Sequence, residues 1–337
     1  MPLAHPTHRL SRRQALAVLG LAAGLGAATA SRAGDAAAKW PNRPVRIVVP
    51  YAAGGSVDIL TRLLAQKLSE ELGQPVVVDN KGGAGGNVGA QAVARGSYDD
   101  HCFLMASQSQ LSINQFIFQS MGYDPAVDFK AIGLVAQTTN VIVVPSALPV
   151  TSFQGLLDYS KAHPGKVAYS SAGIGSTGHL LNELLKTTTG IDAVHVPYKG
   201  NGPAMQAVIA GEVQFNTDNM PQLLQQIKAG RLRPLAVTSS KRWFQLPHVP
   251  TTVELGFPSL TAVVWFGLVA QAKVPDDIVR RMNAAINKIL ADRDFAAKLR
   301  ENSLEGTPGT PEQMARHAES ERVRWKAVVS ASGAKAD

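Results

Sequence analysis

Two glycine-rich turns combine residue types that can bind an anion. The apolar run "VRIVVP" leads into "YAAGGSVD" and a helical pattern, and "VAYS" leads into "SAGIGSTGH" and another helical pattern. Glycine lets backbone N–H groups approach a ligand, and a helix start adds N–H donors that have no acceptor within the helix. Hydroxyl donors accompany both turns, at Ser56, Ser171, Ser176 and Thr177. Two such turns facing across a cleft predict a site for one anion, or for both carboxylates of a diacid.

The same glycines are also compatible with a role that involves no ligand. Each turn fits a plain tight connection between a strand and a helix. Neither has the G-x-x-x-x-G-K-[ST] spacing of a phosphate-binding loop. A third segment, "NKGGAGGNVG" at 80–89, does not match the dinucleotide-binding pattern. We interpret it as a third cleft loop with Asn87 as a candidate donor, or as a plain turn.

Two further residues follow predicted strands and are candidates for ligand contact. Tyr198 in "VPYKGNGPAM" could stack on a ligand or form a hydrogen bond with it. Asp218 in "FNTDNMP" could accept a hydrogen bond from a ligand hydroxyl, an amine or an ordered water. The alternative for Asp218 is a cap on the helix that begins near Pro221.

Few residue patterns in the sequence indicate catalysis or metal binding. Ser176 and His179 lie one helical turn apart, which allows a Ser–His dyad, but no orienting acid is evident and local packing of the histidine is the alternative. The segment "GIGST" is not the G-x-S-x-G nucleophile turn. Cys102, the only cysteine, begins an apolar run and fits a buried position. No metal-ligand spacing is found, so no catalytic residue, metal or cofactor is predicted.

Alternating strand and helix patterns must position these turns. Leu60, Leu64, Leu68 and Leu72 recur every fourth residue, which predicts a helix with one apolar stripe. Strands are predicted at 45–49, 75–80, 103–107, 167–171, 193–197, 213–216 and 234–238. The alternation predicts an α/β fold with a mostly parallel sheet.

Two long apolar segments, 132–145 and 260–272, bracket the middle of the chain. We interpret them as segments that cross between two α/β domains. The first domain would then be discontinuous, with residues 35–139 plus 263–337, and the second would be 140–262. Strand ends and helix starts of both domains would face the cleft between them.

The N-terminus has the pattern of an export signal. Arg12 and Arg13 precede the uncharged stretch "QALAVLGLAAGLGAATA". A basic segment, a short apolar segment and a small-residue ending predict a signal peptide over 1–33, cleaved near Ala30 or Ala33, and a periplasmic location. The arginine pair resembles a twin-arginine (Tat) signal, although the residues after it leave the Sec route open. An uncleaved membrane anchor is the alternative.

The charge of the chain argues against nucleic-acid binding. The net charge is +8, part of it lies in the predicted signal, and the remaining basic residues are scattered. Nucleic-acid binding would favour a basic cluster or stripe. A mild positive field is compatible with anionic solutes and equally with an ordinary solvated surface.

Several motifs together resemble one known family. They are "NKGGAGGNVGAQAVA", "SAGIGSTGHLLNELL", "VPYKGNGPA" and "WFGLVAQAKVP". The chain resembles the substrate-binding proteins of tripartite tricarboxylate transporters, also called TctC or Bug receptors. This resemblance implies a periplasmic-binding-protein fold of the type II-like kind, in which two α/β domains close on a small organic anion. It implies ligand contacts at Tyr51, Ala52, Gly54, Asp58, Gly86, Asn87, Ser107, Ser171, Gly173, Ser176, Thr177, His179, Tyr198 and Asp218.

The sequence therefore predicts a binding protein that captures a carboxylate-bearing metabolite and delivers it to a membrane transporter of this type. We expect a monomer that makes and breaks no bonds. Two alternatives stay open. One is a receptor whose closed form docks on a membrane sensor kinase, and the other is a hydrolase that uses Ser176 and His179.

Overall fold

The computed structural model describes residues 40–335, so the predicted export signal at 1–33 lies outside the described residues. Residues 40–43 belong to a separate N-terminal unit, and the following description concerns residues from Pro44 onwards. The described strands are β1 Val45–Val49, β2 Val76–Asn80, β3 Cys102–Ser107, β4 Phe129–Pro145, β5 Ala168–Ser171, β6 Val194–Pro197, β7 Phe215–Asn219, β8 Leu232–Val237, β9 Val263–Gln271 and β10 Glu305–Gly306.

Helices connect these strands and cover the sheet. The described α-helices are α1 Ser56–Leu72, α2 Asn87–Ala94, α3 Phe153–Ala162, α4 Thr177–Thr189, α5 Asn201–Ala210, α6 Met220–Lys228, α7 Asp276–Leu290, α8 Arg293–Glu301 and α9 Pro311–Ser332. A π-helical turn, Ser109–Ile113, and a 3₁₀ turn, Asn114–Phe116, follow β3. Among the described helices, none is both long and apolar enough to cross a bilayer.

The sheet has the strand order β2-β1-β3-β9-β4-β7-β5-β6, with β8 and β10 also paired to β4. Strands β1, β2 and β3 are parallel, and so are β5, β6 and β7. Strands β4 and β9 are antiparallel to each other, and each is antiparallel to one of these groups. Two groups of parallel strands therefore lie on either side of a central antiparallel pair. The predicted α/β fold is confirmed, but the sheet is mixed rather than mostly parallel, because β4 and β9 pair antiparallel with their neighbours.

Strand β4 pairs with different strands along the two parts of its length. Its first part pairs with β9 as far as Thr139, opposite Val263, and from Asn140 onwards it pairs with β7. The predicted apolar segments at 132–145 and 260–272 are thus neighbouring strands. Their length and apolar character follow from burial, because β4 is buried along most of its course and β9 along nearly all of it.

The residues that predict or end these helices occupy the expected positions in the structure. Leu60, Leu64 and Leu68 of α1 have no exposed surface, which places the predicted leucine stripe in the core. Helix α1 ends at Gly73, whose φ of 69° lies in the left-handed region that glycine tolerates best. Helix α9 begins with a capping box, in which Thr310 and Gln313 bond to each other's backbone N–H.

Candidate functional site

A cavity of about 560 Å³ lies at the ends of β1, β3, β5 and β7. One side, the first wall, is formed by the residues after β1, β2 and β3. The other, the second wall, is formed by the residues after β5 and β6 and around β7. Val264 and Phe266 of β9 also line it. The first wall comprises Tyr51, Gly55, Ser56, Val57, Gly85, Ser107, Ser109, Asn114 and Phe118. The second wall comprises Ser171, Ala172, Ile174, Gly175, Ser176, Thr177, Gly178, Gly200, Asn201, Asn216, Thr217, Asp218, Asn219 and Gln222.

The starts of four helices line this cavity. They are Ser56 and Val57 of α1, Thr177 and Gly178 of α4, Asn201 of α5, and the N-cap Asn219 with Gln222 of α6. The first N–H groups of a helix have no acceptor within it, and the helix dipole places partial positive charge there. Within the described chain, the lining side chains include no lysine or arginine. The cavity can therefore favour an anion through backbone dipoles and hydroxyl groups.

A buried glutamine organises the first wall. Gln110 Nε2 donates to Tyr51 Oη at 2.9 Å and to the Gly85 carbonyl at 2.8 Å. Gln110 Oε1 accepts from the N–H and the hydroxyl of Ser107, each at 2.9 Å. Tyr51 Oη and Ser107 Oγ are themselves 3.0 Å apart. Gln110 thus joins three loops of the wall and orients the two hydroxyl groups that face the cavity.

Gly86 and Asn87 support the same network from behind. A Cβ on Gly86 would lie 2.1 Å from Gln110 Nε2, and the φ of Gly86 is 92°, so both space and backbone conformation require glycine. Asn87 Oδ1 accepts from Asn114 Nδ2 at 2.7 Å and from Tyr123 Oη at 3.0 Å. Both residues hold the lining in place, although neither lines the cavity.

Asp58 braces the turn between β1 and α1. Its carboxylate accepts from the Gly54 N–H at 2.9 Å, from Arg62 Nε at 3.0 Å and from Asn80 Nδ2 at 2.9 Å. Burial alone would raise the pKa of Asp58, but these donors outweigh it and hold the pKa below its ordinary value. All three hydrogen bonds of the Asp58 carboxylate stabilise the turn. Asp58 therefore supports the first wall, although it does not line the cavity.

Helix α4 begins beside the cavity with a serine cap. Ser176 Oγ accepts from the His179 N–H at 3.3 Å, while the Ser176 N–H donates to the Gly173 carbonyl at 3.1 Å. The N–H groups of Thr177 and Gly178 occupy the first two helical positions, where no intrahelical acceptor exists. Gly178 also allows a close approach, because a Cβ there would lie 2.6 Å from the carbonyl oxygen of Thr217 in β7.

Two stacked imidazoles hold the loop between β5 and α4. The rings of His179 and His195 are 4.0 Å apart and nearly parallel, and Tyr169 stacks on the other side of His195 at 4.9 Å. His179 Nδ1 accepts from the Gly175 N–H at 3.0 Å, and His195 Nε2 lies 2.7 Å from Ser171 Oγ. Burial lowers the pKa of His195 to about 4, with a further contribution from His179. Burial also lowers the pKa of His179. The loop thus rests on two neutral rings.

Acid should weaken this stack. The unfolded chain binds a proton at His195 near pH 6.5, whereas the folded chain binds it only near pH 4. The stability that neutral His195 contributes is therefore complete above pH 6.5 and is lost as the pH falls towards 4. We expect wild type to lose on the order of 2 kcal/mol more than His195→Gln over this range, measured by urea unfolding. His248→Gln, at an exposed position, is the control and should keep the wild-type slope. Equal slopes for wild type and His195→Gln would contradict this account.

The end of β7 carries the only lining carboxylate in the described chain. Asp218 accepts from Asn201 Nδ2 at 3.0 and 2.7 Å and from the Asn219 N–H at 2.7 Å. Burial raises the pKa of Asp218 to about 7, against the lowering effect of these two donors. Near neutral pH the group is therefore divided between acid and carboxylate.

The structure brings six of the predicted residues together on the cavity surface. They are Tyr51, Ser107, Ser171, Ser176, Thr177 and Asp218. The others lie outside the lining, and they are Ala52, Gly54, Asp58, Gly86, Asn87, Gly173, His179 and Tyr198. Of these, Tyr198 donates from its hydroxyl to Glu212 at 3.4 Å. Prediction from sequence missed Gln110, Asn114 and Phe118 in the turns after β3, as well as Asn201, Asn216 and His195.

The bonds of Ser176 do not form a catalytic dyad. Its hydroxyl bonds to the backbone N–H of His179, while the ring nitrogen Nδ1 of His179 bonds to Gly175. A nucleophilic serine needs a hydrogen bond to the ring of its base. The described bonds instead stabilise the start of α4 and the loop before it.

One group of possible metal ligands lies elsewhere. Ligand atoms of Asp99, Asp100 and His101 lie within 4.8 Å of one another. His101 Nδ1 is 2.6 Å from Asp100 Oδ1, and the His101 N–H donates to Asp99 Oδ1 at 2.9 Å. The group precedes β3, whose other end carries Ser107, so it belongs to the opposite edge of the sheet from the cavity. The expectation of no metal site stays a prediction.

The chain has the type II-like fold of the periplasmic solute-binding proteins, which it shares with solved structures of that class. Within this class, the chain belongs to the tripartite tricarboxylate transporter family of receptors, whose sequence pattern matches residues 60–334. The resemblance seen in the sequence is thereby confirmed. The members of this family are ligand-binding receptors, so the protein is not an enzyme.

Relatives cover nearly the whole chain. Protein BugT of Bordetella pertussis is 36% identical over 297 residues, which are 88% of this chain and 91% of BugT. The structure of Rpa4515 from R. palustris with adipate has a TM-score of 0.81 and 39% identity, covering 88% of this chain and 99% of that one. MatC from Rhodopseudomonas palustris with bound malate has a TM-score of 0.76 and 28% identity, covering 86% and 100%.

Proposed function

We propose that the protein captures a small organic carboxylate in this cavity and delivers it to a membrane transporter of the tripartite tricarboxylate type. The observation that carries the proposal is the convergence of helix starts from both walls on one cavity, whose lining in the described part of the chain contains no lysine or arginine. Such a surface stabilises a carboxylate by hydrogen bonding and by helix dipoles. No bond of the ligand needs to change for this function.

The lining of the cavity favours a short diacid. Val57, Phe118, Ile174, Val264 and Phe266 add apolar surface to its polar lining. That surface suits the methylene groups of a chain whose ends are carboxylates. Adipate and malate, found with two structural relatives, are both dicarboxylates. A volume of about 560 Å³ lies within the range of small-molecule sites.

We assign direct ligand contact to the six predicted residues on the cavity surface, led by Ser171, Ser176 and Thr177. The predicted residues outside the lining would act by holding the loops. Asp58 and His179 are the clearest examples, because the bonds of each secure the turn that precedes a helix start.

We further propose that the two domains are residues 35–139 plus 263–337 and residues 140–262. The change of β4 from β9 to β7 between Thr139 and Asn140 supports this boundary. A ligand that contacts both walls at once would stabilise the closed arrangement relative to the open one. Contacts that are equal in both arrangements would not shift this equilibrium. The export pattern at 1–33 supports work in the periplasm, where a transporter in the inner membrane is accessible.

Thermal unfolding with and without ligand tests the capture of a carboxylate. A ligand that binds only the folded state raises the free energy of unfolding, by about 2.7 kcal/mol at one hundred times its Kd. We expect at least one diacid among succinate, malate, glutarate and adipate to raise the melting temperature. The corresponding diamides keep the shape and lose the charge, so they should cause no shift. Equal shifts from diacids and diamides, or none from any acid, would overturn the proposal.

A further inference from the structure

Asp218 presents an acid inside a cavity that otherwise suits anions. It lies near the end of β7, where it pairs with Val141 of β4, and it lines the cavity together with the starts of α4 and α5. Its oxygens receive hydrogen bonds from two neutral donors, Asn201 Nδ2 and the Asn219 N–H. An ionised carboxylate here would face the anion for which the rest of the lining is suited.

Within the described residues, no charged side chain offsets Asp218. Its pKa depends on burial and on the two neutral donors, without a contribution from any ionised group. Tyr51 of the first wall is the other titratable side chain among the lining residues of the described chain. The elements packed against β7 carry these titratable or charged groups: Lys130 in β4, Tyr169 in β5, His179, Glu183 and Lys186 in α4, and Lys228 in α6.

The neighbours of Asp218 make this corner of the cavity polar. Asn216, Thr217, Asn219 and Gln222 lie beside it in the lining. The amide of Asn201 is already engaged by the carboxylate. An end of the ligand that lies in this corner is therefore polar, and it must form its hydrogen bonds with Asp218 or with the amides around it.

We propose that Asp218 is a specificity-determining residue, which binds a second carboxylate of the ligand by donating a hydrogen bond from its protonated carboxyl group. The inference rests on the proposed carboxylate-binding function and adds the basis of selection for a diacid. Two carboxylates in contact cannot both stay ionised, so one proton is shared between them. A charge-assisted O–H···O⁻ bond of this kind is short and strong. The proton comes from solvent whenever Asp218 is ionised before binding, and no covalent bond of the ligand changes.

Proton uptake on binding is the direct consequence. A pKa of about 7 leaves free Asp218 mostly protonated at pH 6 and about nine-tenths ionised at pH 8. In the complex the shared proton keeps the pair protonated at both pH values. Binding of a diacid should then take up few protons at pH 6 and about one at pH 8. Its Kd should rise about twofold from pH 6 to pH 7 and about fivefold from pH 7 to pH 8.

Calorimetric titration of the purified full-length protein with adipate tests this proposal. Titrations at pH 6, 7 and 8, in pairs of buffers with different ionisation enthalpies, count the protons taken up. Hexanoate has the same chain length and one carboxylate, so any binding by it should take up none. Asp218→Asn carries a permanent N–H donor at the same place and should bind adipate without proton uptake and without this pH dependence. Asp218→Ala has no such donor and should bind adipate more weakly than wild type at pH 6.

The outcomes separate this inference from the proposed function. Adipate binding with no proton uptake at pH 8 would overturn the role of Asp218 and leave the carboxylate site standing. Proton release, or tighter binding at higher pH, would overturn it in favour of an ionised Asp218 that binds a donor group of the ligand. No binding of any acid in the series would overturn both proposals together.

Discussion

Replacement of Gln110 by leucine should destabilise the protein by roughly 3–5 kcal/mol, because it leaves buried polar partners without hydrogen bonds. Gln110 has no exposed surface and bonds to Tyr51, Ser107 and Gly85. Leucine has a similar size, so packing changes less than hydrogen bonding. Urea unfolding would measure the loss, and carboxylate affinity should fall with it because Tyr51 and Ser107 lose their orientation.

Gln108 provides a matched control two residues away. It is 1% exposed, and its side-chain amide has no hydrogen-bond partner within the described chain. Gln108→Leu removes a buried polar group without depriving another group of its partner, so it should be neutral or stabilising. The difference in unfolding free energy between the two variants therefore measures the contribution of the hydrogen bonds of Gln110. Similar losses for Gln108→Leu and Gln110→Leu would show that leucine is simply not tolerated in this turn.

Gly178→Ala should both destabilise the protein and weaken ligand binding. The new Cβ would lie 2.6 Å from the Thr217 carbonyl oxygen. Both α4 and β7 are held by backbone hydrogen bonds, within the helix and to the neighbouring strands. Relief of the clash must move the start of α4, at a cost of about 1–3 kcal/mol typical of overpacking. Because that helix start supplies N–H donors to the cavity, we expect at least about a tenfold loss of affinity, or 1.4 kcal/mol.

Gly202→Ala tests whether the effect is specific to this contact. Gly202 also lies in the first turn of a helix, α5, and a Cβ there would meet no atom within 4 Å. Alanine should therefore be neutral or stabilise the fold by about 0.4–1 kcal/mol through the unfolded state. The two alanines are to be compared by urea unfolding and by titration with adipate. An unchanged affinity in Gly178→Ala would remove the α4 start from the binding site.

The sequence was informative wherever one local pattern determines one element. Strand–turn–helix patterns located the starts of α1 and α4, and the leucine spacing of α1 located its buried face. The long apolar segments corresponded to β4 and β9, because strands in the middle of a sheet are buried on both faces. These features depend on the periodicity of apolar residues and on the positions of glycines, both of which can be identified in a single sequence.

The remaining contacts depend on distances between residues far apart in sequence. Asp58 resembled a ligand contact, but its bonds to Gly54, Arg62 and Asn80 turn it away from the cavity. Gln110 and Asn114 lie in a π-helical and a 3₁₀ turn, for which the sequence has no periodic signal. The one available hint was a polar run, "SQSQLSINQ", between apolar segments. Buried polar runs of this kind indicate hydrogen-bond networks, although they do not reveal the partners.

A crystal structure of the protein with adipate would test the central claim most directly. The claim is that helix starts from both walls bind a carboxylate without help from lysine or arginine. We predict adipate in the cavity, with one carboxylate within about 3 Å of the N–H groups of Thr177 and Gly178 on the second wall and in contact with the start of α1 on the first wall. The other carboxylate should lie beside Asp218. Adipate bound outside the cavity, or held there by a lysine or arginine side chain, would contradict the claim.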